Sequence, residues 1–383
     1  MAVEAGAVGP DAVARLSAAY GTPTEAALAA HRRGVPIVGI TSCTVPRELI
    51  EAAGAFPLVL RRHGAPTPHA DSIMERGVFS PRVQGICEGL LAGEWPFLAT
   101  VIVPRTSEPE YKLFLYLREL ARERWSPTLP PVLLFDLLQT PSAEARAYVA
   151  GRLGQLRADP AQLVGASVDD SAIAQAVADT NRAADAVQAL TALRAAPTRL
   201  TGCEAVVLVG ASQFMTARAF AADAEGALAI LSSREALAGL HVAIAGAPLD
   251  GPRLHEVIER CGAIVTWEED LAGVMQPRDL IPTGGDPLDA LASHYHSRVP
   301  SARSFPPTSG DRAFGDMLGR GVRGVVFHLP PDDSTAGWDY PRRRAALDAL
   351  GISHVILRAD GLDLCADDER RLCHFVDHLR GEH

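Results

Sequence analysis

The sequence contains almost no lysine and no closely paired cysteines. Lys112 is the only lysine among 383 residues, and this argues against a Schiff-base mechanism, which needs an activated amine. The six cysteines include no C-x-x-C pair, and their spacings fit no zinc motif. We therefore expect six free thiols, mostly buried, in a reducing compartment.

Long apolar runs, an excess of positive charge and phosphate-binding loops are also missing. No stretch reaches the length of a membrane span, and a net charge of −10 argues against nucleic acid or anionic lipid as a partner. Neither a G-x-G-x-x-G nor a Walker sequence is present. The N-terminus lacks the basic lead of a secretory signal, so we expect a cytoplasmic protein that binds a small molecule.

Short apolar runs alternate with helical patterns in two parts of the chain. These parts are residues 34–140 and 239–383, and such alternation predicts parallel sheets with helices on both faces. Residues 1–33 and 141–238 show helical patterns without strand signals, so we expect an N-terminal helical segment and a bridging helical region. The predicted strands are residues 35–40, 56–60, 98–103, 132–138, 241–245, 263–267, 324–329 and 354–357.

Several short segments follow one another in an order that is typical of one enzyme family. The first is P-x-E-L-I-x-A-A-G, at residues 46–54. Each segment is weak alone, but together they extend over most of the chain. On them the sequence resembles the D-component of the 2-hydroxyacyl-CoA dehydratase and benzoyl-CoA reductase family. The other segments are residues 201–202 with Phe214, 246–273, 286–300 and 324–341.

The resemblance implies a fold, a cofactor and a reaction. It implies two flavodoxin/Rossmann-like, doubly wound parallel-sheet domains with additional bridging helices. Many members act as heterodimers on acyl-CoA thioesters, with an iron–sulfur cluster that receives electrons from an ATP-using activator. One electron passed to the thioester carbonyl gives a ketyl radical, which allows a poor leaving group, a hydroxyl, to depart.

The residues at the family's cluster positions are not cysteines in this chain. Ser80 and Ser107 stand at two of these positions, and Asp332 stands roughly at a third. Iron–sulfur clusters need thiolate ligands, whereas a serine alkoxide is a harder and far more basic donor. We therefore expect no iron–sulfur cluster, no other metal and no other cofactor, with acyl-CoA as a candidate substrate.

Ser80 and Ser107 have two interpretations. Each precedes a helical pattern, so each hydroxyl can cap a helix, and Glu110 would complete a capping box with Ser107. Alternatively, the fold would bring both helix N-termini to one cleft outside the carboxyl ends of the strands. There they would bind an anion or polarise a carbonyl oxygen.

Carboxylates near the predicted cleft are the acid–base candidates. Asp332 and Asp333 follow a buried strand, where they could act as general base, bind a metal or only cap a turn. Glu108 follows Ser107 in the first turn of the next helix. Glu48 matches a family position, although the helix dipole alone favours a carboxylate there.

The remaining candidates would contact the substrate. Ser42, Cys43 and Thr44 follow the first strand and could face the acyl group, although Cys43 could also be only a small buried residue. His328 is either a buried, hydrogen-bonded histidine or a substrate contact. Arginines near the same strand ends could hold a carboxylate or the phosphates of CoA, or could remain in solvent. These arginines are Arg61, Arg62, Arg82 and Arg105.

Three functions remain open from the sequence. The first is a cluster-free lyase that catalyses dehydration or another elimination on an acyl thioester, or on a related carboxylic substrate, in the interdomain cleft. The alternative is a non-catalytic subunit that pairs with an iron–sulfur-bearing homologue. The third is a retained cluster with unusual ligands. The family's habit of pairing predicts a homodimer, or a heterodimer with a homologue.

Overall fold

Two four-stranded parallel sheets form the frame of the molecule. A computed structural model describes residues 11–62, 64, 66–75, 78–125, 129–158, 168–269, 279–299, 314–315, 317, 320–331, 336–359 and 364–381. Every strand pair in this part of the chain is parallel. The predicted α/β class, with two doubly wound parallel-sheet domains, is confirmed.

The first sheet lies in the N-terminal half and has the strand order β2-β1-β3-β4. Its central strands are apolar and buried, because helices cover both faces of a parallel sheet. The strands are β1 (Ile37–Ile40), β2 (Phe56–Val59), β3 (Leu98–Pro104) and β4 (Val132–Phe135).

The second sheet repeats this order in the C-terminal half, as β6-β5-β7-β8. In each sheet the order reverses between the first strand and the third, which creates a crevice outside the carboxyl ends where α/β proteins bind ligands. The strands are β5 (Leu240–Gly246), β6 (Ala263–Glu268), β7 (Gly324–His328) and β8 (Ser353–Leu357).

Helices cover the sheets and connect the two halves. Long helices occupy the part of the chain between the two sheets, and Asp169 caps the second of them by accepting from the backbone N–H of Ala172 at 2.8 Å. None of the helices in the described ranges is long and apolar enough to cross a membrane. The helices are α1 (Asp11–Gly21), α2 (Glu25–Arg32), α3 (Arg47–Ala52), α4 (Pro68–Ile73), α5 (Pro81–Leu91), α6 (Glu108–Arg122), α7 (Ala143–Ala158), α8 (Asp170–Ala192), α9 (Gly202–Gly210), α10 (Ala217–Leu231), α11 (Arg253–Arg260), α12 (Pro287–Ser297), α13 (Ala336–Leu350) and α14 (Ala366–Gly381).

Helix α12 follows the strand β6 in sequence but packs on the first half of the molecule. It contacts α7 and α8, and its Tyr295 hydroxyl donates to Glu48 at 2.8 Å. Gln139, after β4, donates to the Tyr295 backbone oxygen at 3.2 Å. Residues predicted with the second domain therefore help to bury the core of the first.

Two of the six cysteines are joined, so the prediction of six free thiols is wrong for this pair. Cys261 directly follows α11, and Cys373 lies on α14, which packs against α11. Their Cα atoms are 5.0 Å apart, and the sulfurs form a disulfide. The pair is separated by 112 residues, so sequence spacing gave no sign of it. Cys43, Cys87, Cys203 and Cys365 are free thiols.

Candidate functional site

A cavity lies between the carboxyl ends of the two sheets, and we call it the interdomain cavity. Residues that follow β1, β2, β5 and β6 line it, together with α9. Its volume is about 80 Å³, well below the roughly 300–1,000 Å³ of sites for drug-sized ligands. It therefore suits a small polar group rather than a whole CoA molecule. The polar and charged residues of its lining include Ser42, Cys43, Arg61, Arg82, Asp250, His255, Glu268 and Glu269.

Arg61 supplies a fixed positive charge on the side of the first sheet. Its guanidinium carbon lies 4.3 Å from the ring centre of Tyr20 and 4.8 Å from that of Phe214, which are cation–π distances. Its Nη2 donates to the backbone oxygen of Tyr20 at 3.2 Å. The Nε atom is buried and has no hydrogen-bond partner among the described residues, so it can donate to a ligand.

Arg82 adds a second positive charge and joins the two halves across the cavity. It lies in the first turn of α5 and donates to the backbone oxygen of Thr41, at the end of β1. Its Nε lies 3.6 Å from a carboxylate oxygen of Asp250, in the loop after β5. Both side chains are about one-quarter exposed, so solvent screening weakens this pair.

A chain of hydroxyl groups connects the cavity wall to a buried carboxyl group. Ser42 Oγ lies 2.9 Å from Thr44 Oγ1, which lies 3.3 Å from Thr106 Oγ1. Thr106 and Ser107 then donate to Glu110 at 2.7 and 3.0 Å. Burial raises the pKa of Glu110, although these hydroxyls and the charge of Arg82 oppose the shift.

The second sheet contributes a buried cluster of opposite charges. The Nε2 atom of His255, on α11, contacts one oxygen of Glu268, at the end of β6. Arg194 donates to the other oxygen at 2.6 Å. Burial alone would raise the pKa of Glu268, but Arg194 and His255 lower it to about 2. Glu268 is therefore a carboxylate at any pH at which the protein would be assayed.

Glu269 is a second carboxylate in the lining, and neighbouring donors hold both of its oxygens. Arg343 Nη2 donates to Oε1 at 2.6 Å, and Arg343 Nη1 contacts Oε2. The backbone N–H of Gly246 donates to Oε2 at 3.0 Å. This bidentate arrangement ties β6 to α13 and leaves Glu269 fixed in place.

The structure places Ser80 and Ser107 at helix starts, outside the described lining of the cavity. Ser80 Oγ accepts from the N–H of Val83 at 3.4 Å, and Ser107 Oγ accepts from the N–H of Glu110 at 3.3 Å. The two helices pack side by side. The Glu110 carboxylate does not complete the predicted capping box, because it accepts from the Ser107 hydroxyl rather than from the Ser107 backbone.

Four of the residues predicted from the sequence line the cavity, namely Ser42, Cys43, Arg61 and Arg82. Thr44 is buried just behind Ser42 and belongs to the hydroxyl chain. The structure therefore brings the loop after β1 and the start of α5 to one place.

The remaining predictions lie elsewhere or beyond the described residues. Arg62 pairs with Glu94 at 2.8 Å, and Arg105 lies 3.5 Å from Asp136. Glu48 is buried against Tyr295, and Glu108 is exposed. His328 is buried, with Nδ1 3.1 Å from the Ala247 oxygen. Asp332 and Asp333 lie outside the described residues.

Sequence reasoning missed the charges that the second sheet brings to the cavity. Glu268 and Glu269 end a buried run of apolar residues, and paired acids at that point were the available signal. His255 gave no signal, because its partner lies 13 residues away on a different element. Arg61 was recognised only as one of several arginines near strand ends.

Among the described residues, the donors at the positions where the resemblance would place cluster cysteines are hydroxyls, which are poor ligands for an iron–sulfur cluster. Ser80 and Ser107 present hydroxyls that already cap helices. Burial raises the pKa of the Cys87 thiol to about 12, and burial also raises the pKa of Cys203, so both remain protonated. Cys43 is the one described thiol in the lining, and a single thiolate cannot hold a cluster that needs four ligands. The described residues contain no group of three or more His, Cys, Asp or Glu that could hold a metal ion.

Comparison with known proteins identifies the family of the chain. The family model for the 2-hydroxyglutaryl-CoA dehydratase D-component matches residues 42–377. No curated protein matches the sequence. The matched region begins at Ser42, in the wall of the interdomain cavity, and includes both sheets except for β1. The chain belongs to the 2-hydroxyglutaryl-CoA dehydratase D-component family.

Proposed function

We propose that this chain is a cluster-free lyase of its family, which eliminates water from a small carboxylic substrate or its thioester in the interdomain cavity. The observation behind the proposal is the charge arrangement of the cavity. Arg61 and Arg82 stand on one side, and His255 with Glu268 stands on the other. Such a site holds an anion or a polarised carbonyl at one end and accepts a proton at the other.

Ser80 and Ser107 carry hydroxyls where the resemblance would place the thiolate ligands of a cluster. Without a cluster, the elimination has to proceed by acid–base chemistry. Acid–base chemistry alone removes only a proton that an adjacent carbonyl acidifies. The leaving hydroxyl must then stand on the next carbon, as in a 3-hydroxyacyl group. A 2-hydroxyacyl substrate would instead require removal of a proton that no carbonyl activates. We therefore propose 3-hydroxy acids or 3-hydroxyacyl thioesters as the substrate class.

The size of the cavity limits which part of the substrate is enclosed. A space of about 80 Å³ accommodates a short acyl group, whereas a carrier arm would extend into solvent between the two halves. Arg61 would hold the carboxylate or the thioester oxygen through its unpartnered Nε.

Replacing each of two neighbouring arginines by glutamine tests this proposal. We expect 3-hydroxybutyrate or its N-acetylcysteamine thioester to raise the melting temperature of the wild type. The Arg61→Gln protein should bind at least about tenfold more weakly, because a charge-assisted hydrogen bond is lost. Arg62→Gln is the matched control, since Arg62 pairs with Glu94 outside the described lining. Equal affinities of the two variants, measured by calorimetry, would refute the proposed role of Arg61.

A non-catalytic partner subunit is the second candidate function. The capping hydrogen bonds of Ser80 and Ser107 support it, because they show a structural use for both residues that needs no ligand. Failure of every 3-hydroxyacyl compound to bind, together with co-purification of a cysteine-bearing homologue, would favour this function over the lyase.

A further inference from the structure

In the neutral form of His255, one imidazole nitrogen carries no proton, and the contact with Glu268 decides which one it is. Glu268 is ionised and accepts from Arg194 at 2.6 Å through one oxygen, while its other oxygen contacts His255 Nε2. A carboxylate only accepts hydrogen bonds, so the Nε2 atom of neutral His255 carries the proton. The Nδ1 atom then presents a free lone pair, which is the form of a general base.

His255 lines the interdomain cavity, and its Nδ1 is the ring nitrogen that does not face Glu268. The ring is held in place, because its Cδ2 lies against Gly202, where an added Cβ would come within 2.9 Å of it. His255 is only 1% exposed, yet it lines the cavity. Its Nδ1 is buried and has no hydrogen-bond partner among the described residues. A buried acceptor left unpaired costs free energy, and a ligand hydrogen would remove that cost.

The other acidic groups of the lining are poorer bases. Both oxygens of Glu269 are held by Arg343. Asp250 faces Arg82 at 3.6 Å. The pKa of Glu268 lies at about 2, so it accepts a substrate proton weakly. Among these described lining groups, His255 is therefore the one that has an acceptor atom without a partner.

We propose that His255 is the general base of the interdomain cavity and that Glu268 is its positioning residue; this inference rests on the proposed lyase function. His255 Nδ1 removes the proton from the carbon next to the carbonyl, and the electron pair of that C–H bond forms the new C=C bond. The C–O bond at the neighbouring carbon breaks. The departing hydroxyl takes the proton back from Nδ1 and leaves as water. No electrons are gained or lost overall, so the step needs no redox partner.

Two measurements on the whole chain test the base. The first is water loss from the 3-hydroxybutyryl thioester, and the second is exchange of the α-protons of the butyryl thioester in D₂O, followed by NMR. We expect His255→Gln to lose at least about 100-fold in both rates while its affinity for the butyryl thioester changes by less than about threefold. His69→Gln is the matched control, because His69 also pairs with a glutamate, Glu88, at 2.7 Å but lies outside the described lining.

Glu268→Gln provides a second test, in which the shape of the side chain hardly changes. Its amide oxygen would accept from Arg194, and its NH₂ group would then face Nε2 of His255. The imidazole proton would move to Nδ1, so the base would lose its lone pair. We expect kcat to fall about 100-fold with little change in KM. If His255→Gln fails to fold, the comparison of kcat between Glu268→Gln and the wild type replaces it. An unchanged kcat would then overturn the inference.

The outcomes separate the base from the function on which it rests. A wild type that neither loses water nor exchanges the α-proton overturns both. A wild type that does both, with an equally active His255→Gln variant, overturns only the assignment of His255. Exchange that depends on His255 but is never followed by water loss supports the base and refutes the dehydration.

Discussion

At the scale of single residues, the charged side chains that line the interdomain cavity are held in place by contacts within the protein. Arg61 rests on two aromatic faces, and Glu268 is paired on both sides. Groups held this way do not reorganise when a polar substrate binds, and this preorganisation strengthens their electrostatic effect. The effect of such surroundings differs between buried carboxyl groups. Burial raises the pKa of Glu110, whereas Arg194 and His255 lower that of Glu268.

Glu268 makes the free energy of unfolding depend on pH in the acidic range. Its pKa falls from an ordinary 4.5 to about 2 on folding, so its contribution is present above pH 4.5 and is lost as the pH falls towards 2. The shift corresponds to on the order of 3 kcal/mol. We expect Glu268→Gln to lower the free energy of unfolding at pH 7 and to flatten its pH dependence below 4.5.

Urea denaturation at pH 3, 5 and 7 measures this effect. Glu119→Gln is the control, because Glu119 pairs with Arg118 and Arg122 at the surface, where solvent makes ion pairs weak. The prediction fails if Glu268→Gln and the wild type differ by the same amount at all three pH values.

At the scale of elements, the sequence predicted what short-range patterns determine. Apolar β-branched runs marked β3 and β5, and Ser80 and Ser107 stood where helix caps belong. Contacts between distant parts of the chain gave no such sign. The bond between Arg194 and Glu268 joins residues 74 positions apart, and only the folded arrangement of α8 and β6 brings them together. The basic side of the cavity was therefore partly predictable, whereas on the acidic side the sequence marked the position of Glu268 and Glu269 but not their partners.

The caps of α5 and α6 allow a prediction about stability that is independent of catalysis. Replacing Ser80 or Ser107 by Ala should each lower the free energy of unfolding by about 1 kcal/mol, because one backbone N–H loses its acceptor. Ser107→Thr, which keeps the hydroxyl, should cost less. Chemical denaturation measures the losses, and ligand affinity should remain unchanged since neither serine belongs to the described lining. A double variant that unfolds normally but no longer binds ligand would return both residues to the site.

At the scale of the whole molecule, the two halves are stabilised in different ways. The first sheet shares one large core with the bridging helices and α12, whereas the second sheet packs two smaller cores on its two faces. The bond between Cys261 and Cys373 joins α11 to α14 on one of those faces. The second half therefore relies on a covalent link that has no counterpart among the described cysteines of the first.

Reduction should loosen the second half selectively. The link closes a loop of 112 residues, and loops of that size correspond to about 5 kcal/mol in the chain-entropy account. We expect a reducing agent to lower the urea midpoint of the wild type and to speed proteolysis near β7 and β8. The Cys261→Ser/Cys373→Ser protein should behave like the reduced wild type with or without the agent. Identical unfolding curves for the oxidised and reduced wild type would contradict this.

The repeated strand order of the two sheets has a consequence for how a substrate is oriented. Strands β2 and β6 occupy equivalent places, and each is followed by a charged residue in the interdomain cavity. After β2 that residue is the cation Arg61, and after β6 it is the anion Glu269. The halves thus repeat in backbone but are opposite in sign, so the pseudo-symmetric pocket is electrically polar from end to end. We expect a molecule with one anionic end to bind in such a pocket in a single orientation, with its two faces presented to different groups.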